Sequence, residues 1–139
     1  MLTATEPATS SRALVWTGRA LSGLGAAFML LDGVMKLFKP AFVVEATTKL
    51  GYAENVIVPL GIVLTVCTLL YLIPQTAVLG AMFLTGYLGG AVASHVRAGD
   101  GAFPIAFPII FAAIIWGGLL LREPRLRALV PWRRLTPHS

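Results

Sequence analysis

The sequence predicts an all-α integral membrane protein, an antiparallel bundle of four transmembrane helices with a short interfacial helix between spans 1 and 2. Three observations predict this fold. The chain has 139 residues, and 57% of them are hydrophobic. Only 12% are charged, whereas a typical soluble domain has about 25%. Four apolar runs each approach the length of about 20 residues that crosses the hydrocarbon core of a bilayer.

The N-terminal residues are polar and rich in Thr and Ser, and we expect a disordered tail over residues 1–12. A cleaved signal peptide has a charged segment, then an apolar segment, then small residues at the cleavage site, and these residues do not follow that order. The first span follows at about residues 13–36, where small residues favour close helix packing. Arg19 lies near one end of this span. Its side chain either extends to the lipid headgroups or contacts a buried partner or ligand.

A connector with one apolar side and one polar side follows the first span. Pro40 suits a first helical position and Gly51 suits a helix end, so we predict a helix at about residues 40–50. Glu45 lies on its polar side. Because this helix is too short to cross a bilayer, we expect it to lie at the interface and cover one mouth of the bundle.

The second and third spans are predicted at about residues 55–73 and 76–96. The very short link at Pro74 and Gln75 requires these helices to be antiparallel neighbours. The glycines of the third span predict a close backbone approach to another helix. The fourth span is predicted at about residues 104–121, which completes a membrane domain over residues 13–121. Residues 122–139 form a basic amphipathic tail that we expect to meet anionic lipid.

Four spans place both chain termini on the same side of the membrane. That side carries Arg12 and the five arginines of residues 122–139, and the other side carries Lys36, Lys39, Lys49 and Arg97. The excess of basic residues at the termini places both termini in the cytoplasm by the positive-inside rule. Several polar candidates then converge at the outer mouth of the bundle, whereas Arg19 lies near the inner end. These outer candidates are Asp32, Lys36, Glu45, His95, Arg97 and Asp100.

Two interpretations apply to each of the chemically useful groups at that mouth. Asp32 and Lys36 form an i,i+4 pair that either neutralises itself at the membrane surface or contacts a charged ligand. His95 is either an ordinary interfacial residue or a hydrogen-bond and proton partner of a quinone headgroup. Tyr71 and Tyr87 offer stacking or hydroxyl contacts to such a ring.

Several other function classes find no support in the sequence. Cys67 is the single cysteine, so thiolate metal sites and intramolecular disulfides are excluded. No spacing indicates a metal site or a nucleophile with its base, and we expect no covalently bound cofactor and no stand-alone enzyme. The basic residues lie at the ends of apolar runs, which favours membrane lipid over nucleic acid as their partner.

Three stretches resemble the DoxX-like family: GRALSGLGAAFMLLDGVMKL, KPAFVVEATTKLGY and VCTLLYLIPQTAVLGAMFLTGYLGGAVASHVRAGD. The resemblance covers about residues 18–127. It implies a small four-helix protein of the bacterial cytoplasmic (inner) membrane. The family takes its name from a subunit of a quinone-reducing thiosulfate oxidoreductase, and other relatives are linked to oxidative-stress complexes. By this resemblance, the family's polar positions are Arg19, Asp32, Gly33, Lys36, Glu45, His95, Arg97 and Asp100.

Two functional hypotheses follow from the residues and the resemblance together. The first is an accessory subunit of a quinone-linked redox or oxidative-stress system that binds a quinone or another lipid-soluble ligand. The second is a non-catalytic assembly, chaperone or interaction protein. Across both hypotheses, the expected protein partner is either a redox subunit or a second copy of the chain in a homo-oligomer. Small-solute transport is disfavoured, because four helices are expected to enclose little space and the spans show no internal repeat.

Overall fold

The computed structural model describes residues 8–129, and the side chains from Arg12 to Leu129. Within this part of the chain the regular structure is entirely helical. Four of the helices are long and apolar enough to cross a membrane, which confirms the predicted four-span fold. The helices in chain order are α1 (Ala8–Phe38), α2 (Ala41–Lys49), α3 (Ile57–Leu72), α4 (Ala77–Ala98), α5 (Ala102–Arg122) and α6 (Pro124–Arg127).

The helix boundaries differ from the predicted ones mainly at the N-terminus. α1 begins at Ala8, so residues 8–12 of the predicted tail are helical, and residues 1–7 lie outside the described part. At the C-terminus, the predicted tail contains the single helical turn α6. Residues 130–139 lie outside the described part of the chain.

The short helix α2 is set off from its neighbours by two residues with positive φ. Lys39 has φ 51° and Gly51 has φ 90°, a region that favours glycine and that lysine rarely adopts. Pro40 then stands at the N-cap of α2 in an extended conformation. Lys39 forms an ion pair with Glu54 at 3.1 Å, which links the two ends of the connector.

The four long helices form a ring in which α1 packs against α3 and α5, and α4 also packs against α3 and α5. α1 and α4 therefore face each other across the middle of the bundle. We call the end that carries α2 and the α4–α5 loop the connector end. The opposite end, where α1 begins and α5 finishes, is the terminal end.

Glycines allow α1 to approach two neighbouring helices closely. A Cβ atom added at Gly61 of α3 would lie 2.8 Å from the carbonyl oxygen of Gly33. A Cβ atom added at Gly18 would lie 2.7 Å from the carbonyl oxygen of Gly118 in α5. These distances leave no room for a methyl group, so the two contacts hold α1 against the rest of the ring.

The prediction of close packing for the glycine-rich third span is correct only in part. Gly80 lies directly against the backbone of Tyr71 and allows the tight turn between α3 and α4. In contrast, a Cβ atom added at Gly86, Gly89 or Gly90 would meet no atom within 4 Å. The content of small residues identifies a helix that can pack closely, but it does not say which of its faces does so.

The terminal end of the bundle is closed by a buried polar cluster around Tyr71. This side chain is fully buried, and its hydroxyl lies 2.8 Å from both Ser22 Oγ and the carbonyl oxygen of Ile115. The guanidinium of Arg122 lies 5.3 Å from the centre of the Tyr71 ring. The cluster joins α1, α3 and α5, and the sequence pattern gave no indication of it.

Candidate functional site

A cavity of about 560 Å³ lies inside the ring of helices at the connector end. Its size falls in the range of about 300–1,000 Å³ that is typical of small-molecule sites. The expectation that four helices enclose little space is therefore wrong for this bundle. α1, α4 and α5 form the walls, Leu60 of α3 contributes one position, and α2 lies across the connector side.

The lining residues follow helical periodicity, which explains why these side chains share one space. On α5 they are Pro104, Phe107, Pro108 and Phe111, at positions i, i+3, i+4 and i+7. Residues with this spacing lie on one face of a helix. The cavity therefore arises where the inward faces of α1, α4 and α5 meet in the middle of the ring.

Aromatic rings form one wall of the cavity. Phe28 of α1 stacks on Phe111 of α5, with ring centroids 4.3 Å apart and planes 24° apart. Phe107 lies 4.9 Å from Phe111 and 5.4 Å from Phe28. The three rings give the cavity a polarisable surface, on which another ring can make stacked or edge-on contacts.

An ion pair on α1 forms part of the polar lining of the cavity. Lys36 Nζ lies 2.6 Å from Asp32 Oδ1, one helical turn away. The Lys36 side chain is only 13% exposed, whereas that of Asp32 is 38% exposed. A charged ammonium is thus held inside the cavity by a carboxylate that is itself partly in contact with the surroundings.

A second polar pair joins the end of α4 to the loop that follows it. His95 Nδ1 lies 2.6 Å from Asp100 Oδ2. The turn is possible because Gly99 adopts a left-handed conformation with φ 74°, and the Asp100 N–H donates to the His95 carbonyl at 3.1 Å. This pairing fixes the imidazole through Nδ1 and leaves Nε2 as the ring nitrogen for any further contact.

Two tyrosines complete the polar side. Tyr87 of α4 is half-buried and lines the cavity. Tyr52, which follows α2, shares a hydrogen bond of 2.6 Å with Ser94 Oγ. That contact ties the connector to α4 beside the cavity.

The structure brings together five of the nine residues singled out from the sequence. These are Asp32, Lys36, Tyr87, His95 and Asp100, all of which line the cavity. Their convergence has a simple origin, because the antiparallel topology places the end of α1, the end of α4 and the start of α5 at the same end of the bundle. Tyr71, in contrast, is buried in the polar cluster at the terminal end and does not line the cavity.

The other three candidates lie outside the cavity lining. Glu45 is exposed on α2. Arg97 is exposed and donates from Nη2 to the Leu50 carbonyl at 2.7 Å, which fastens the end of α2 to α4. Arg19 is exposed towards the terminal end and lies over the Trp16 ring at 5.3 Å. For Arg19, the geometry favours the interpretation of a surface side chain.

Sequence reasoning missed the aromatic wall and the contact between Tyr52 and Ser94. The spacing of Phe107 and Phe111 contained a usable signal, since both share a face with two prolines. A phenylalanine in an apolar span, however, is equally typical of a surface that faces lipid. Among the residues that the structure describes, no group of three or more His, Cys, Asp or Glu side chains is placed to hold a metal ion.

Comparison with known proteins gives one family match. The family model described as the DoxX-like family matches residues 20–118, which is more than half of the chain. No curated protein and no solved structure matches. The matched stretch contains every residue that lines the cavity.

Proposed function

The chain belongs to the DoxX-like family, and from this premise we propose that it binds a quinone or a similar lipid-soluble ring compound in the cavity at its connector end. In this proposal the protein is an accessory subunit of a membrane redox or oxidative-stress system. It binds and positions the ring, and a partner subunit transfers the electrons. The observation that carries the proposal is the presence of a stacked aromatic wall and paired polar groups in one cavity of about 560 Å³.

The aromatic wall supports a planar ligand. Stacked and edge-on aromatic pairs prefer ring centroids about 4.5–7 Å apart. Phe107 already pairs with Phe28 and with Phe111 at such distances. A ligand ring laid against them would extend the stack and exclude lipid from its face.

The polar side supports a ligand with oxygen atoms on its ring. Lys36 and Tyr87 carry hydrogen-bond donors, and His95 adds Nε2, which donates or accepts according to its tautomer. Quinone oxygens accept hydrogen bonds, and their reduced forms donate them. A ring nitrogen that either donates or accepts can contact both states of the ligand.

The proposed location is the bacterial cytoplasmic membrane, with both termini in the cytoplasm. The cavity would then open towards the outer side. The arginines Arg122, Arg125 and Arg127 at the terminal end support this orientation through the positive-inside rule. A reporter enzyme that works only in the cytoplasm is expected to be active when it is fused to the C-terminus. A C-terminal reporter found in the periplasm would contradict this orientation.

The binding proposal is tested with purified protein in detergent or nanodiscs. We expect extraction of the protein from native membranes to yield a bound quinone, and added decyl-ubiquinone to raise the melting temperature. A ligand at 100 times its Kd stabilises the folded state by about 2.7 kcal/mol. The Lys36→Met and His95→Phe variants should lose most of this shift. The control Arg19→Met alters a charge far from the cavity and should retain it.

Two results would contradict the proposal. One is purified wild-type protein that carries no quinone and shows no shift in melting temperature with any ring compound tried. The other is an equal shift in the Lys36→Met, His95→Phe and Arg19→Met proteins. An equal shift would mean that the ligand binds elsewhere on the apolar surface.

A second function, that of an assembly or interaction protein, is favoured by a separate observation. Gly86 and Gly89 lie on the exposed side of α4, and nothing within 4 Å would obstruct an added Cβ atom. Small residues on a lipid-facing surface allow the backbone of another helix to approach closely. Crosslinking from a cysteine at position 89 in native membranes would recover a different protein under this hypothesis. Recovery of the homo-oligomer alone would count against it.

A further inference from the structure

Gly90 lies where the cavity reaches the exposed surface of α4. The residue lines the cavity and is itself exposed. A Cβ atom added there would meet nothing within 4 Å. Gly86 and Gly89 have equally open surroundings, but neither lines the cavity. Gly90 therefore differs from them because it is both exposed and part of the cavity lining, as expected of an opening through the side of the bundle.

The depth of Gly90 places this opening in the hydrocarbon region. Gly90 precedes the end of α4 at Ala98 by 8 residues, which corresponds to about 12 Å at about 1.5 Å per residue. The hydrocarbon core extends about 15 Å from its centre to either side. When the end of α4 lies at the boundary of this core, Gly90 lies near the middle of the bilayer. An opening at Gly90 thus faces lipid acyl chains and not water.

A different opening lies at the connector end. Ala46 and Lys49 of α2 are exposed and also line the cavity. Lys49 gives that opening a charged edge. The cavity consequently has a polar opening beneath α2 and an apolar opening at Gly90. This arrangement suits a molecule with a polar end and an apolar end.

We propose that the ligand of this cavity carries a long apolar chain, and that the chain leaves the cavity past Gly90 into the bilayer. The inference rests on the proposed function, which places the ring of the ligand inside. A cavity of about 560 Å³ is suited to a drug-sized molecule, so a ring with a long chain exceeds it. The absence of a side chain at position 90 leaves the space through which the chain passes. The ligand class is a ring compound with a prenyl or alkyl tail.

The test compares Gly90→Leu with Gly89→Leu, a control that adds the same side chain about 100° around the helix. Each protein is titrated with decyl-ubiquinone and with the same ring lacking the decyl chain. We expect wild type and Gly89→Leu to bind the decyl compound at least tenfold more tightly than the tail-free ring. Gly90→Leu should weaken binding of the decyl compound at least tenfold and change binding of the tail-free ring by less than twofold.

The outcomes separate this inference from the proposal on which it rests. If Gly90→Leu binds the decyl compound as tightly as wild type does, the inference that the chain passes Gly90 is wrong. The proposal that the ring binds in the cavity is then unaffected. Equal loss of both compounds would place residue 90 against the ring and would also overturn the inference. If wild type binds neither compound, the proposed function itself fails.

A second measurement covers the case in which Gly90→Leu does not fold. A quinone with a photoreactive group at the end of its chain is bound to the wild-type protein and activated. Labelling of Phe83, an exposed residue two helical turns from Gly90 on α4 that does not line the cavity, is the expected result. Labelling confined to α2 would show that the chain leaves through the other opening, and the inference would be overturned.

Discussion

Lys36 and Asp32 meet at 2.6 Å on a single turn of α1, and the lysine side chain is the more buried of the two. The carboxylate therefore compensates a charge that lies inside the cavity. A buried charge that loses its partner costs much more than a pair that is removed as a whole. This asymmetry distinguishes the two residues, although their spacing makes them look equivalent in the sequence.

Asp32→Asn is expected to destabilise the protein, because it leaves the ammonium of Lys36 without its counter-charge. Breaking a fully buried ion pair costs about 3–5 kcal/mol of stability. Because Asp32 is 38% exposed, the cost here should be smaller, about 1–2 kcal/mol. The double variant Asp32→Asn/Lys36→Met should recover most of the loss. Thermal unfolding in detergent measures both effects, and a single variant as stable as wild type would contradict this view of the pair.

Arg97→Ala should loosen α2 without unfolding the bundle. The residue supplies one hydrogen bond, to the Leu50 carbonyl, and such a bond contributes about 0.5–1.5 kcal/mol. Hydrogen–deuterium exchange should accelerate over residues 41–49 and stay unchanged over residues 57–72. Arg19→Ala, which removes an exposed arginine near the other end, is the control. If wild type, Arg97→Ala and Arg19→Ala show equal exchange rates in α2, Arg97 does not hold this helix in place.

Tyr71→Phe should lower stability and leave ligand binding intact. The substitution removes a hydroxyl and leaves Ser22 Oγ and the Ile115 carbonyl without this partner in a buried region. An unpaired buried polar group costs about 1–3 kcal/mol. A lower melting temperature with an unchanged Kd for decyl-ubiquinone is the expected result. A large change in Kd would show that the terminal-end cluster is coupled to the cavity.

Gly61→Ala and Gly86→Ala should have effects of opposite sign. The methyl group at position 61 would press on the Gly33 carbonyl and on Lys36 Cβ, both 2.8 Å away, at a cost of about 1–3 kcal/mol. The methyl group at position 86 meets nothing within 4 Å. It gains up to about 1 kcal/mol of helix propensity. Melting temperatures of the two proteins test this, and destabilisation by Gly86→Ala would indicate a helix packed on that side of α4.

The four spans were predictable because each is a long apolar run, and bilayer thickness leaves few other interpretations. The convergence of Asp32, Lys36, His95 and Asp100 was also predictable, since alternating helix direction places them at one end. Which face of each helix packs against its neighbours, lines the cavity or meets lipid was not predictable. Phe107 is equally compatible with lipid and with a cavity, and Gly86 is equally compatible with a packed and an open surface. Their surroundings are decided by tertiary packing and not by the local sequence.

The Tyr71 cluster and the cavity occupy opposite ends of the same four helices, and this separation bears on how such a protein can diversify. Tyr71, Ser22 and Ile115 do not line the cavity, so substitutions in the cavity lining remove no partner of these hydrogen bonds. If the cavity binds a ligand as proposed, its lining can change to fit another ligand while the Tyr71 cluster is kept. For protein engineering, the same separation offers a membrane scaffold in which Phe28, Phe107 and Phe111 are the first positions to vary.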